Sequence, residues 1–438
     1  MHMFEGDSKQ FGSGRLLEPN KLFSKERFCQ TGVLLCVATG FTIPISTSLT
    51  SILCLGALAC WLISGQYLVS YELLKKYRVV TASVMLIGFL GIGLFYTSES
   101  FPIAFRNFSK YRQFILIPIY ASFFLDPKMR KRGIQLFELA MILTLIGSLI
   151  CWLASIDSSG HLLDRAIFKN RITQNILMAF LVYLSAWKFL EKPRQRWPYA
   201  LLSLIATFNI IAVVPGRSGY LALGILVFVL MYQKLGYKGI VPAFLCVGAV
   251  GLLAYNQSDT FQGRINQVIT EIREYRTSQY RRSGVNLRIE FYENSLHLAK
   301  ANPIIGSGTG SFKLMYHQLA HENGQIPTSN PHNEYVMLLV QNGVIGISLF
   351  LYFFWASWRS TRFLTGLDRS LGQAVIAVYL VGCMVNSLML DTTEGLLFGY
   401  FLGLVFAGGV ASVLEQHKST MVESSFEDEE QSNVREAA

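Results

Sequence analysis

Three residues in this chain have the type and setting to do chemistry: His332, Arg217 and Arg288. His332 lies in Asn330-Pro331-His332-Asn333-Glu334-Tyr335, where the longest polar segment of a very apolar chain meets the helix-length run Val336 to Trp355. A neutral imidazole near pH 7 can take a proton from a hydroxyl group, and Pro331 suits the first turn of a helix. A histidine met alone is more often structural. Arg217 lies in Pro215-Gly216-Arg217-Ser218-Gly219 between two apolar runs. Free N–H groups and the helix dipole already favour an anion at such a helix start, and a guanidinium adds a fork suited to phosphate oxygens. An arginine snorkelling to lipid headgroups gives the same pattern. Arg288, in Asn286-Leu287-Arg288-Ile289-Glu290, opens an expected loop helix and by itself reads as solvated or paired with glutamate.

Other groupings carry less. His317 and His321 are four apart with Glu322 following, which is not the HExxH order, and no cysteine is near, so no metal site is expected. The run Gly306-Ser307-Gly308-Thr309-Gly310 resembles half of a dinucleotide fingerprint without the surrounding strand–helix unit. It reads instead as a flexible turn that lets a loop fold over the rest. Asp391 and Glu394 share a short turn, where they can orient a sugar hydroxyl or the histidine, or simply face water.

The elements that must position these residues are apolar helices. The hydrophobic fraction is 52% and the charged fraction 15%, against about 25% charge in soluble domains. Apolar runs of about 17–25 residues, long enough to cross a bilayer as helices, recur along the chain. The expectation is an all-α polytopic membrane protein with about twelve spans, near 31–47, 49–64, 79–96, 112–125, 134–155, 173–190, 197–214, 218–233, 239–254, 333–357, 371–390 and 395–414. The first two suggest a tight hairpin, with Pro44 inside the first. The seven cysteines all fall in or beside apolar runs and read as small hydrophobes rather than a disulfide framework.

Loop charge sets the orientation. With a cytoplasmic N-terminus every inner loop is basic, from Lys75, Lys76 and Arg78 through Lys128 to Arg132 and on to Arg359, Arg362 and Arg369. The net charge of +10 is accounted for by these loops, and no nucleic acid is implied. The expected division is a cytoplasmic segment 1–28 without a cleavable signal, spans over 29–254, a helical periplasmic loop domain 255–332, spans over 333–414, and a cytoplasmic acidic tail 415–438. Three outer segments are basic against the rule: 97–111 with Arg106 and Lys110, 156–172 with Arg165, Lys169 and Arg171, and the long loop. In that loop Phe261, Ile265, Val268, Ile272 and Tyr275 make one apolar helix face, with Arg264, Arg273 and Arg276 off it. A second helix is expected from Leu287 to Ala301, stopped by Asn302-Pro303.

From about 205 to 360 the chain resembles the O-antigen ligase/Wzy polymerase family of bacterial membrane glycosyltransferases. The resemblance rests on Gly216-Arg217-Ser218-Gly219, then Arg288 with Asn302-Pro303-Ile304-Ile305-Gly306-Ser307-Gly308-Thr309-Gly310-Ser311-Phe312, then Pro331-His332-Asn333-Glu334-Tyr335 leading to Gln341-Asn342-Gly343-Val344-Ile345-Gly346. The first 200 residues or so match only in hydropathy. The resemblance implies a GT-C-like helix bundle in the bacterial inner membrane, with a periplasmic loop domain over a cavity. It implies transfer of a glycan from undecaprenyl diphosphate to an acceptor hydroxyl, with no cofactor and no metal. His332 would be the catalytic base, and Arg217 and Arg288 would hold the donor diphosphate. Arg165, Lys169, Arg171, Asn333, Tyr335, Asp391 and Glu394 are further candidates for substrate contacts, with Arg106 and Lys110 behind them. Lipid A–core oligosaccharide is the favoured acceptor, because arginine-rich outer loops suit an acceptor carrying phosphates. A growing lipid-linked repeat (polymerase) or a protein hydroxyl are the alternatives. A transporter of lipid-linked glycan would use the same arginines without needing His332, and would carry ionisable residues deep in its spans.

Overall fold

The computed structural model describes residues 24–154, 165–257, 259–275 and 284–409. The N-terminal segment up to 23, Arg276, Arg281, Arg282 and the acidic tail with Glu423 to Glu430 lie outside the described residues. Among the described residues there is no strand. The helices are α1 (Lys25–Ile45), α2 (Thr47–Ser64), α3 (Tyr67–Lys76), α4 (Arg78–Ile92), α5 (Phe101–Phe108), α6 (Gln113–Phe123), α7 (Pro127–Ala154), α8 (Arg171–Glu191), α9 (Arg196–Phe208), α10 (Arg217–Leu235), α11 (Ile240–Gln257), α12 (Asp259–Tyr275), α13 (Gly284–Ala299), α14 (Phe312–Glu322), α15 (Glu334–Ser360), α16 (Gly366–Gly382) and α17 (392–409).

Six helical stretches are long and apolar enough to cross a membrane: α1, α2, α7, Arg196–Val213, Arg217–Gln257 (α10 and α11 joined) and Glu334–Phe363. The twelve expected windows each meet a helix, but not each a span of full length. The window at 112–125 becomes α6, whose 11 residues rise only about 16 Å against a hydrocarbon core of about 30 Å. Nearly all of α6 is buried in protein, and Pro118 interrupts its ladder. Its apolar character is that of a core helix, hydrophobic all round. The window at 371–390 is also cut short. α16 ends at Gly382, and 383–391 is a turn in which Asn386 and Ser387 make side-chain bonds to His332 and Asn330. α1 and α2 do form a hairpin, joined through Ser46 alone.

α17 runs through the centre, with Phe398, Tyr400 and Phe401 fully buried. Gly395, Gly399 and Gly403 line the side that meets α6, where an added Cβ would come within 3.0 Å of Gln113 or Tyr120. Small residues at four-residue spacing let two helix backbones approach this closely.

The feature that organises the polar end is a break in α15. Gly343 has φ 63° and ψ −164° inside the helix, a backbone shape that needs glycine. The break frees carbonyls, and the segment before α14 takes them up. Ser307 N–H donates to Val340 O (3.0 Å) and Gly308 N–H to Gln341 O (2.8 Å), while Val344 N–H donates to Pro303 O (2.8 Å). Residues 306–312 are buried. They are therefore not the flexible turn expected from their glycines but a strap seated in the broken helix. The same strap reaches α4, where Thr309 Oγ1 donates to Leu90 O (2.7 Å).

Candidate active site

His332 sits just before α15 and is the one non-glycine residue with positive φ (56°) among those described. Such a conformation costs energy and persists only where neighbours over-determine it. Here Asn330 Oδ1 accepts the His332 N–H (2.8 Å) and also the Ser387 hydroxyl (2.8 Å). The Tyr292 hydroxyl of α13 donates to His332 O (3.3 Å), and the Phe291 ring lies nearly parallel to the imidazole, centroids 6.5 Å apart. The histidine is thus held between a loop helix and the 383–391 turn.

The side-chain contacts of the imidazole determine its tautomer. Asn386 Nδ2 donates to the Asp391 carboxylate (3.3 Å), so the amide oxygen faces His332 Nδ1 (3.2 Å). An amide oxygen only accepts. Nδ1 therefore carries a hydrogen, and in the neutral ring the lone pair that a base requires is on Nε2. Burial pushes the Asp391 carboxyl above the usual range, while His332, Lys110 and the Asn386 bond pull it back.

The arginines meet in a cavity of about 280 Å³ lined by Arg171, Arg217, Arg264 and Arg288 together with Gly216 and Ser218. Arg217 and Ser218 open α10, whose N-cap Gly216 offers no side-chain oxygen to the helix. Gly216 and Gly219 are small because α8 passes beside them. A Cβ on either would come within 2.7 Å of Asn175, and Asn175 Nδ2 donates to Val214 O (2.6 Å). Arg288 Nη1 donates to Val385 O (3.1 Å). Arg288 and His332 are therefore fastened to neighbouring residues of one turn, Val385 and Asn386. The buried carboxylate of Glu271 sits 3.9 Å from Arg217 Nη1 and accepts Val285 N–H (3.1 Å), so it ties α12 to the start of α13 and to the arginine.

The other candidates divide. Arg171 joins the arginine cavity, and Asp391 joins His332 through Asn386. Lys110 faces Asp391, whereas Arg106 is exposed on α5. Asn333 caps α15 through Val336 N–H (3.1 Å), and Tyr335 donates to Leu380 O (2.7 Å), so both hold helices in place. Glu394 is buried and accepts the Thr173 hydroxyl. Lys169 donates to Thr47 Oγ1 (2.6 Å), and its burial lowers its pKa against the pull of Glu394. The Arg165 carbonyl accepts the Ser148 hydroxyl (3.0 Å). Sequence reasoning passed over Asn386, Ser387, Arg264 as a cavity residue, and Glu271. The first two lie in an apolar run where only their polarity marked them.

The long apolar helices, with a histidine and converging arginines in the polar layer at one end, define a multi-pass helical membrane protein. Residues 202–351, the stretch that carries Arg217, Arg288 and His332, match the family described as O-antigen ligase. A protein of Haemophilus influenzae (strain ATCC 51907 / DSM 11121 / KW20 / Rd), described as an uncharacterized protein, is 23% identical over 178 residues, which is 39% of this chain and 45% of that protein. The match thus spans under half the length of that relative.

Proposed function

We propose that this protein is an O-antigen ligase, moving a glycan from undecaprenyl diphosphate to a hydroxyl of lipid A–core oligosaccharide on the periplasmic side of the inner membrane. The observation that carries the reading is the shared turn at 383–391. It holds Arg288 of the four-arginine cavity through Val385 and the candidate base His332 through Asn386. A diphosphate leaving group and an acceptor hydroxyl have to be held side by side, and this turn offers one rigid support for both.

The chemistry follows from the groups present. The acceptor oxygen attacks the anomeric carbon from the face opposite the diphosphate, and the bond from that carbon to the phosphate oxygen breaks. His332 Nε2 takes the hydroxyl proton as the new glycosidic bond forms. The released undecaprenyl diphosphate keeps the electron pair, and the arginines with the open α10 N-terminus stabilise its growing charge. One displacement inverts the anomeric centre. The donor is already activated, so no nucleotide is required. The topology with both termini in the cytoplasm and loop 255–332 over the site rests on the alternation of basic loops, and it takes α6 to complete its crossing inside the bundle, against protein rather than lipid. It lets the loop helices keep water from the reacting carbon.

The test uses purified protein, a synthetic undecaprenyl-diphosphate glycan and lipid A–core, with EDTA present and no nucleotide. Glycan should appear on lipid A with the native chain and fall by roughly 10²–10⁴-fold with His332→Ala while donor still binds. Longer lipid-linked glycan in place of modified lipid A would make the protein a polymerase. Movement of donor across vesicles without any new bond, equal in both proteins, would leave a transporter.

A further inference from the structure

A second cavity lies at the end of the bundle opposite His332. α15 starts beside His332 and ends at Ser360, which is about 40 Å of helix. Around that far end the tails of α8 and α10 meet the start of α16 and border a half-open hollow of about 630 Å³. This falls in the range of small-ligand sites, about 300–1,000 Å³. Lys234, Arg359, Arg362 and Arg369 line it, with Trp187 and Trp358 beside them. Its lining carboxylate, Glu191, is taken up by Lys234. Among the described residues Arg359, Arg362 and Arg369 have no carboxylate partner.

The polar floor of this cavity is already satisfied. The Tyr183 hydroxyl donates to Gln233 Oε1 (2.7 Å), Gln233 Nε2 to Gln373 Oε1 (3.1 Å), and Gln373 Nε2 to Thr361 Oγ1 (3.4 Å). The amides therefore fix the ends of α10 and α16 relative to each other and leave the guanidiniums as the binding groups, that of Arg362 lying over the Phe363 ring (4.6 Å to its centroid). Basic residues that merely follow the positive-inside pattern would each reach outward to a separate headgroup. Here three arginines from the end of α15, the following turn and the start of α16 border one hollow. The tryptophans suit the level where acyl chains meet headgroups, so the ligand need not be water-soluble.

We propose that this cavity binds the phosphodiester headgroup of an anionic membrane lipid. The shared chemistry is a phosphate anion gripped by guanidinium forks, and a lipid supplies it in place. The inference requires only that the chain cross a membrane and is independent of the glycosyl-transfer reading.

Native mass spectrometry of the full-length protein, delipidated and then titrated with phosphatidylglycerol, cardiolipin or phosphatidylcholine, tests it. The anionic lipids should be retained and phosphatidylcholine should not. Arg362→Gln with Arg369→Gln should weaken retention by roughly tenfold or more. Lys131→Gln with Arg132→Gln removes the same charge from exposed positions in the first turns of α7. That helix is joined to this end of the bundle by the Arg130–Asp368 pair (3.0 Å), and the control variant should retain lipid like the native chain. Thermal melts confirm that each variant is folded, and Arg369→Lys, which keeps the charge, provides a milder variant if the double one is not. Equal retention of phosphatidylcholine, or equal weakening by the control pair, would overturn the proposal in favour of unspecific surface charge. Displacement of the lipid by glycerol phosphate at matching concentration would overturn the lipid as ligand and leave a soluble phosphate site.

Discussion

At the scale of single residues, the imidazole is set by a chain that runs Asp391 to Asn386 to His332. A carboxylate cannot donate, so it orients the amide, and the amide orients the ring. Replacing Asn386 by leucine removes the acceptor for Nδ1–H. A loss of about 10–100-fold in kcat is expected, with the donor KM near native, and steady-state transfer assays read it directly. Asp391 has a raised pKa through burial. Its carboxylate is therefore a cost to the folded state once the pH exceeds that pKa, and the cost vanishes below the unfolded value near 3.9. Asp391→Asn should accordingly melt at a higher temperature than the native protein at pH 7, with the difference shrinking towards pH 4, and should transfer glycan more slowly. Thermal melts across that pH range and a rate at pH 7 check both parts. As candidates, His332 and Arg217 stand out in the sequence through their local motifs, whereas Arg288 stands out only through the family resemblance. Asn386 does not stand out. It stands in Met384-Val385-Asn386-Ser387-Leu388, which reads as part of a span, and only the fold brings it to a histidine far away in the chain.

At the scale of elements, hydropathy placed the helices well and failed where burial in protein mimics burial in lipid. α6 is as apolar as a span and much shorter, because its solvent is the rest of the bundle. The break in α15 was similarly invisible. Gln341-Asn342-Gly343 lies within an unbroken apolar window, and a single glycine there is compatible with a continuous helix. What it does became visible only with the strap in place. Gly343→Ala puts a Cβ 2.3 Å from Ile304 O at φ 63°. A destabilisation of at least about 1–3 kcal/mol is expected from the backbone alone, measurable as a lowered melting temperature. Native-like stability in that variant would mean that the break is not required.

At the scale of the whole molecule, one end gathers Arg171, Arg217, Arg264 and Arg288 around a cavity whose buried carboxylate, Glu271, is already shared with the backbone of α13. The field there is strongly positive, and a partly open site is screened by salt. The donor KM should rise as ionic strength rises, and Arg171→Gln with Arg264→Gln should raise KM at low salt while flattening its salt dependence. A KM indifferent to salt in the native protein would place the donor phosphates elsewhere. The composition announced a chain of membrane-crossing helices. The arrangement of positive charge into one hollow at each end was beyond any pattern along the chain.

The seat of the strap in α15 bears on how the protein is made. A helix entering a bilayer with bare carbonyls meets no water to satisfy them. The strap precedes α15 in the chain, so it leaves the ribosome first and is already available when the broken helix inserts. The order of the segments thus supplies each freed carbonyl with its donor at the moment of need, and the catalytic histidine candidate, lying between the two, is set only when they meet.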